Sequence, residues 1–256
     1  MDILTFPATA PRDPRIEPPL ARALAYDRRN TNRRAVFAMT HSLVSTAGGD
    51  WSLSRRWTAV ADELLCEERV RWNARDGLLE SVSISPSMGE RLEARRAPDS
   101  PREAPTLETS RVPGANLPSM ERRLSLPRRG FTLASAPLEI AASWPALLRG
   151  ERLRRQYLVL KVQRHAAVDL QAIEINDRSV TVALTPVALP LRWLFGRTLF
   201  HFRRSDVGLH AIDGLLDPRD RKPNGRWHEY LGRVEFLKPV SFSPIVAACE
   251  GAGGAP

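Results

Sequence analysis

The strongest constraint on this chain is an alternation of apolar and polar residues with a period of two, densest over residues 198–236. Successive side chains of a strand point to opposite faces, so Phe200 and Phe202 fall on one face and Leu199, His201 and Arg203 on the other. Ser205, Asp206 and Gly208 then supply turn chemistry. A second strand is expected over Leu209–Leu215. A loop should follow from Asp217 to Gly225, because Pro218 and Pro223 lack the N–H that a ladder needs and Asn224-Gly225 is a strong turn pair. Trp227–Phe236 resumes as a strand with Tyr230, Gly232, Val234 and Phe236 on one face. Three strands joined this way predict an antiparallel meander.

The same period recurs upstream. Over Arg34–Ser45 it places Phe37, Met39, His41 and Leu43 on the more apolar face. Trp51–Val60 reads as a further short strand. Asp62–Trp72 contains good helix formers, yet Leu64, Cys66, Glu68, Val70 and Trp72 alternate cleanly. The strand reading is favoured there, because Asp76-Gly77 then closes a hairpin onto Leu78–Ile84. It puts Glu68 on the face of Cys66, Val70 and Trp72.

Residues 85–130 interrupt the pattern with prolines 86, 98, 101, 105, 113, 118 and 127. A long loop in a compact domain is usually a lid, a binding loop or a disordered segment. Beyond it, Leu138–Arg149 is the best helix signal; because proline prefers a first turn, the helix is expected to begin near Ser143, with Ser143 as cap, Trp144 or Pro145 in the first turn and Gly150 as a stop. Arg152–Ala166 reads as one long strand. Leu170–Ile175 and Val180–Leu184 follow across the turn Asn176-Asp177, and then Pro186–Phe195, helical from Pro190. The expected organisation is an N-terminal arm over 1–30, with Ile16–Tyr26 as a possible short helix. A single β-rich domain over 31–240 and a mobile tail over 241–256 complete it. The fold class is α+β and mainly β: a curved antiparallel sheet or open half-barrel with a few short helices.

The formal charge of +9 raises nucleic acid or an anionic surface as a partner. Lys161, Lys222 and Lys238 are the only lysines among 38 basic residues, and the arginines are scattered, mostly beside Glu or Asp. That pattern fits a solvated surface better than a nucleic-acid interface, so nucleic acid is not the expected partner. Cys66 and Cys249 fit no metal or redox spacing. The first residues carry no basic region followed by an apolar run, and no apolar stretch approaches the roughly 20 residues of a membrane span. A reduced, cytoplasmic setting is expected; nothing in the pattern speaks to oligomeric state.

No phosphate-binding glycine loop, nucleophile elbow or zinc-type histidine spacing is present. His201, His210 and His228 fall on neighbouring strands, but ordinary hydrogen-bonded or surface roles explain them better than a metal does. His41 and Glu68 stand out as polar groups on apolar strand faces, and a buried polar group is paired or functional. Together they form a candidate catalytic pair: a general base with a carboxylate holding the imidazole. The alternative is a satisfied structural histidine and an edge glutamate. Tyr157, Trp193, Phe200, Phe202, His201 and Tyr230 are candidate ligand-lining residues, with core packing as the simpler role for the aromatics. No cofactor is expected.

The order of a Trp-containing helix, Gly150-Glu151, a long strand, paired strands, PLRWLF, and then FHF with Gly214–Asp217 is similar to that of a group of uncharacterised bacterial proteins ending in a partly closed antiparallel sheet. Over residues 138–236 the layout also resembles the half-barrel of bacterial lipoprotein carriers. The small cofactor-free rearrangement enzyme of the violacein pathway shares that half-barrel. The resemblance is one of layout and transfers no catalytic residue. It implies a small-molecule-handling protein of bacterial secondary metabolism. Such a protein would bind an apolar or aromatic ligand in a sheet cavity, with or without a cofactor-free isomerisation or cyclisation. The alternatives are a non-catalytic hydrophobic-ligand carrier and an Arg-rich partner- or nucleic-acid-binding module.

Overall fold

A computed structural model describes residues 21–27, 35–46, 49–59, 62–98, 106–112, 118–125, 130–189, 196–221 and 227–252. Eight strands come first: β1 (Ala21–Asp27), β2 (Ala35–Ser45), β3 (Asp50–Ala59), β4 (Leu64–Asn73), β5 (Gly77–Ser85), β6 (Glu90–Arg96), β7 (Thr106–Val112) and β8 (Met120–Ser125). After the two-residue β9 (Gly130–Phe131) come helices α1 (Ala136–Ala142) and α2 (Trp144–Leu148). The second run of strands is β10 (Leu153–Val159), β11 (Arg164–Ile175), β12 (Ser179–Pro186), β13 (Thr198–Arg203), β14 (Gly208–Arg221) and β15 (Trp227–Ser241), followed by helix α3 (Ser243–Ala252).

All fifteen strands belong to one sheet. Each run is a meander of sequential neighbours, and the two runs join where β1 pairs antiparallel with β15. The junction is tight: a Cβ on Gly232 would stand 2.2 Å from the Tyr26 carbonyl oxygen. Laid flat, the two sheet edges would be about 65 Å apart at the usual strand spacing. Instead, Gln163, in the turn between β10 and β11, donates from Nε2 to the carbonyls of Thr109 on β7 (3.1 Å) and Met120 on β8 (2.9 Å). The sheet is therefore rolled, while β8 and β9 share no ladder and a seam stays open between them. Among the described residues the chain is thus mainly β, a curved open sheet with three short helices.

Inside the roll, every residue of α1 is buried. Trp144 of α2 packs edge-on against Phe202, and Phe202 against Phe242 at the start of α3. Over β2–β4 the core is a field of alternate residues in which Met39, Leu53, Trp57, Val70 and Trp72 are all but inaccessible. Burying an indole of roughly 200 Å² at about 25 cal/mol per Å² stabilises the fold by about 5 kcal/mol, which makes the tryptophans main anchors of this half.

Several expectations from the sequence need correction. Ala21–Asp27, assigned to an arm or a short helix, is a central strand of the sheet. The Pro-rich region 85–130 contains β6, β7 and β8; its prolines border these strands. Arg152–Ala166 is not one strand, because a 3-10 turn over Leu160–Val162 and Gln163 at φ 48° fold it into a hairpin that no Gly, Asn or Pro announces. Leu138–Arg149 is two helices, with Pro145 opening the second. Asp217–Gly225 is not wholly loop, since β14 bulges between Leu215 and Arg219 and pairs again up to Arg221. Ser243–Ala252 is helical where a mobile tail was expected. The helix expected from Pro190 lies outside the described residues.

Candidate functional site

The inward faces of β2, β3 and β4 are apolar except along one row. His41 is paired with Arg55, and Arg55 with Glu68, directly across the sheet. All three are buried. Arg55 Nη2 lies 2.6 Å from Glu68 Oε2 and donates to Asp217 Oδ2 at 3.0 Å. Trp57 Nε1 donates to Glu68 Oε2 at 3.4 Å. Asp217 comes from the far meander, aimed inward by the bulge of β14. Two residues on, Arg219 donates to Glu90 of β6 at 2.9 Å, and Arg111 of β7 approaches the same carboxylate at 3.2 Å. Between them, β5 carries Ser81, Ser83 and Ser85, small groups where a large side chain would fill the space.

Burial alone would strip the charge from Arg55, but Glu68 and Asp217 outweigh it and hold the guanidinium charged. Glu68 is pushed up to about 7, chiefly by burial and further by the Asp217 charge, with Arg55 and Trp57 pulling the other way. His41 is lowered to about 3 by burial and by the Arg55 charge, so its imidazole is neutral. The Cys66 thiol, raised to about 12 by burial and the two carboxylates, is no nucleophile. The Tyr157 hydroxyl is raised chiefly by burial and further by the Asp217 and Glu68 charges, and its ring lies 5.8 Å from that of Phe131. Tyr157 nevertheless keeps accessible surface, as do the side chains of Asp217 (20 %) and Arg219 (15 %). Solvent therefore reaches the edge of this inward-facing group.

Both ring nitrogens of His41, Arg55 Nε, Arg111 Nε and Trp72 Nε1 are buried without a hydrogen-bond partner among the described residues. Native interiors leave few such groups, so water or a ligand is their natural complement.

The residues expected from the sequence do not all meet. His41 and Glu68 share the row, but Arg55 stands between them, so no direct imidazole–carboxylate pair forms; His41 sits edge-on to Phe236 and Phe242. The charges of this group act on Tyr157. Phe200 and Phe202 are fully buried in the helix-packed core, and Tyr230 stacks edge-on against Phe37 at 5.0 Å. His201 points to the outer face, between Asp213 (2.7 Å) and Thr181 (3.2 Å). Trp193 lies outside the described residues. Arg55 and Glu90 were missed, whereas Asp217 and Arg219 stood out in the sequence as charged groups around a turn, with a ligand role the lesser reading. Arg55 was visible as the one charge in the alternation Trp51, Leu53, Arg55, Trp57; the inward aim of Asp217 and Arg219 was hidden by Pro218, which reads as a turn.

On the outer face, exposed arginines are matched by acids: Arg95 with Glu80, Arg123 with Glu108, Arg203 with Asp206 and Arg233 with Glu235. Among the described residues, no helix is long and apolar enough to cross a membrane.

No protein-family model matches the chain. No curated protein matches it either. Among solved structures, it is similar to a beta-barrel-like protein of a domain of unknown function, DUF1849, from Brucella abortus. The identity is 11 % and the TM-score 0.38, over 87 % of this chain and 96 % of that one.

Proposed function

We propose that the protein binds an apolar or aromatic small molecule in a recess inside the rolled sheet, beside the Arg55, Glu68 and Asp217 group, with Glu68 as the group that exchanges a proton with it. The observation that carries this reading is a buried carboxyl held by Arg55 at 2.6 Å and Trp57 at 3.4 Å, whose pKa burial, against the pull of Arg55, pushes up to about 7. A general acid–base group works best when its pKa lies near the working pH. The apolar walls and Tyr157 suit a ring or a hydrocarbon, and His41, neutral at this pH, offers one donor and one acceptor. Glu68 supports a cofactor-free isomerisation or cyclisation by positioning and proton transfer.

A carrier is the second reading, favoured by the fact that Arg55 and Trp57 already engage Glu68. Native mass spectrometry of protein purified from its own host tests both. A stoichiometric apolar or aromatic adduct is expected, retained in Glu68→Gln. Loss of turnover with retained binding in that variant identifies an enzyme; unchanged behaviour identifies a carrier. A clean apo mass, with no thermal shift across a broad metabolite panel, contradicts the recess reading.

A further inference from the structure

The two ion clusters inside the roll are unequal. Arg55 faces two carboxylates, Glu68 and Asp217. Glu90 faces two guanidinium groups, Arg111 and Arg219. Glu90 is buried, with 4 % of its side chain accessible, so it cannot be screened by bulk water as a surface acid is. The Glu90 cluster thus carries one more positive than negative group, and the Arg55 cluster one more negative than positive. Arg111 also holds a buried Nε–H that no acceptor meets, while its Nη1 donates to the Lys161 carbonyl at 3.0 Å. About a third of its side chain, 32 %, stays accessible, so the cluster can be reached. The seryl face of β5 links this cluster to Arg55 and Glu68, since Ser85 is paired with Glu90 and Ser83 with Glu68.

We propose that the Arg111–Glu90–Arg219 cluster is the docking point for a single carboxylate on the ligand, which makes the ligand an amphipathic carboxylic acid. Two guanidinium forks around one protein carboxylate leave room in charge and in donors for a second. The apolar body then runs along β5 toward Glu68 and Trp57. The proton that Glu68 retains near neutral pH sharpens the asymmetry, because it leaves Arg55 balanced by Asp217 alone and the spare positive charge at Arg111 and Arg219. This inference rests on the proposed binding recess and names its ligand class.

Four probes test it: dodecanoate and 3-phenylpropanoate against dodecanol and 3-phenylpropanol, read by thermal shift and by native mass spectrometry of the full chain. At least one acid is expected to bind tenfold or more tightly than its alcohol. Arg111→Gln should weaken acid binding at least tenfold more than alcohol binding. Glu90→Gln removes the competing carboxylate and should tighten acid binding at least fivefold, a gain that a purely structural cluster would not produce. Acid and alcohol binding equally, or an acid preference unmoved by both variants, overturns the carboxylate site and leaves the recess standing. No binding by any of the four overturns the carboxylate site and counts against the recess as well.

Discussion

Arg55 on β3 and Asp217 on β14 are separated by 162 positions in the chain and meet at 3.0 Å inside the rolled sheet. Arg219 and Glu90, 129 positions apart, repeat the bridge one strand set further along. Among the described residues the two meanders share a strand ladder only where β1 meets β15, and these ion pairs, with the Gln163 bonds, tie them again across the interior.

Arg55→Met should therefore be costly. It leaves the buried Glu68 and the half-buried Asp217 without their cation, and losing one partner of a buried pair costs about 3–5 kcal/mol. Glu68→Gln keeps acceptors for Arg55 and Trp57 and removes a poorly solvated acid, so its effect at neutral pH should stay within about 1 kcal/mol. Urea denaturation of the two variants distinguishes these outcomes; equal losses would contradict the assignment of Arg55 as the hub.

Acid and alkali should act on different residues. The folded pKa of His41, about 3, lies below its ordinary 6.5, so the unfolded chain binds a proton that the folded one refuses, and stability is lost as pH falls from 6.5 toward 3. Glu68 is raised from 4.5 to about 7, so the folded chain holds the extra proton, and stability is lost as pH rises from 4.5 toward 7. Between 4.5 and 6.5 the two slopes, each about 1.4 kcal/mol per pH unit, oppose and cancel. His41→Phe should remove the loss at acid pH and expose a fall in stability from pH 4.5 to 7, and Glu68→Gln should remove the loss above pH 6.5 and expose a rise in stability from pH 3 to 6.5. Denaturation midpoints at pH 4, 5.5 and 8 check this; parallel curves for all three proteins would contradict it.

The strand content of this fold was legible because alternation is a local signal. β2, β4, β13 and most of β15 were placed within a few residues, and so was the inward face that holds His41 and Glu68. What failed was non-local. The β10–β11 hairpin turns on Gln163 in a left-handed conformation, held by bonds to β7 and β8 that no local window contains. Pro218 signals a turn, and only the bulge against β15 explains how Asp217 and Arg219 face inward instead. Arg55 was the readable omission, a lone charge among tryptophans and leucine.

Gly232→Ala should destabilise by about 3 kcal/mol, since its Cβ meets the backbone carbonyl of Tyr26 and the flexible end of Leu216, and only the second can yield. The loss should appear as faster amide exchange in β1 and β15 together. Wild-type stability in this variant would contradict the tight junction.

Gln163→Ala should loosen the seam without unfolding the core. Its three side-chain donations reach only Thr109 and Met120. Hydrogen exchange should rise over 106–112 and 118–125 while β12 and β13 keep their protection. A rise spread over the whole sheet would show that the seam is part of the global folding unit.

The most direct test of the inner site is the protonation of Glu68 itself, read as the infrared difference between wild type and Glu68→Gln from pH 5 to 9. A protonated carboxyl band that disappears with a midpoint near 7 is the predicted result. A Glu68 ionised throughout that range would mean Arg55 simply neutralises it, and the proton-exchanging site would be contradicted.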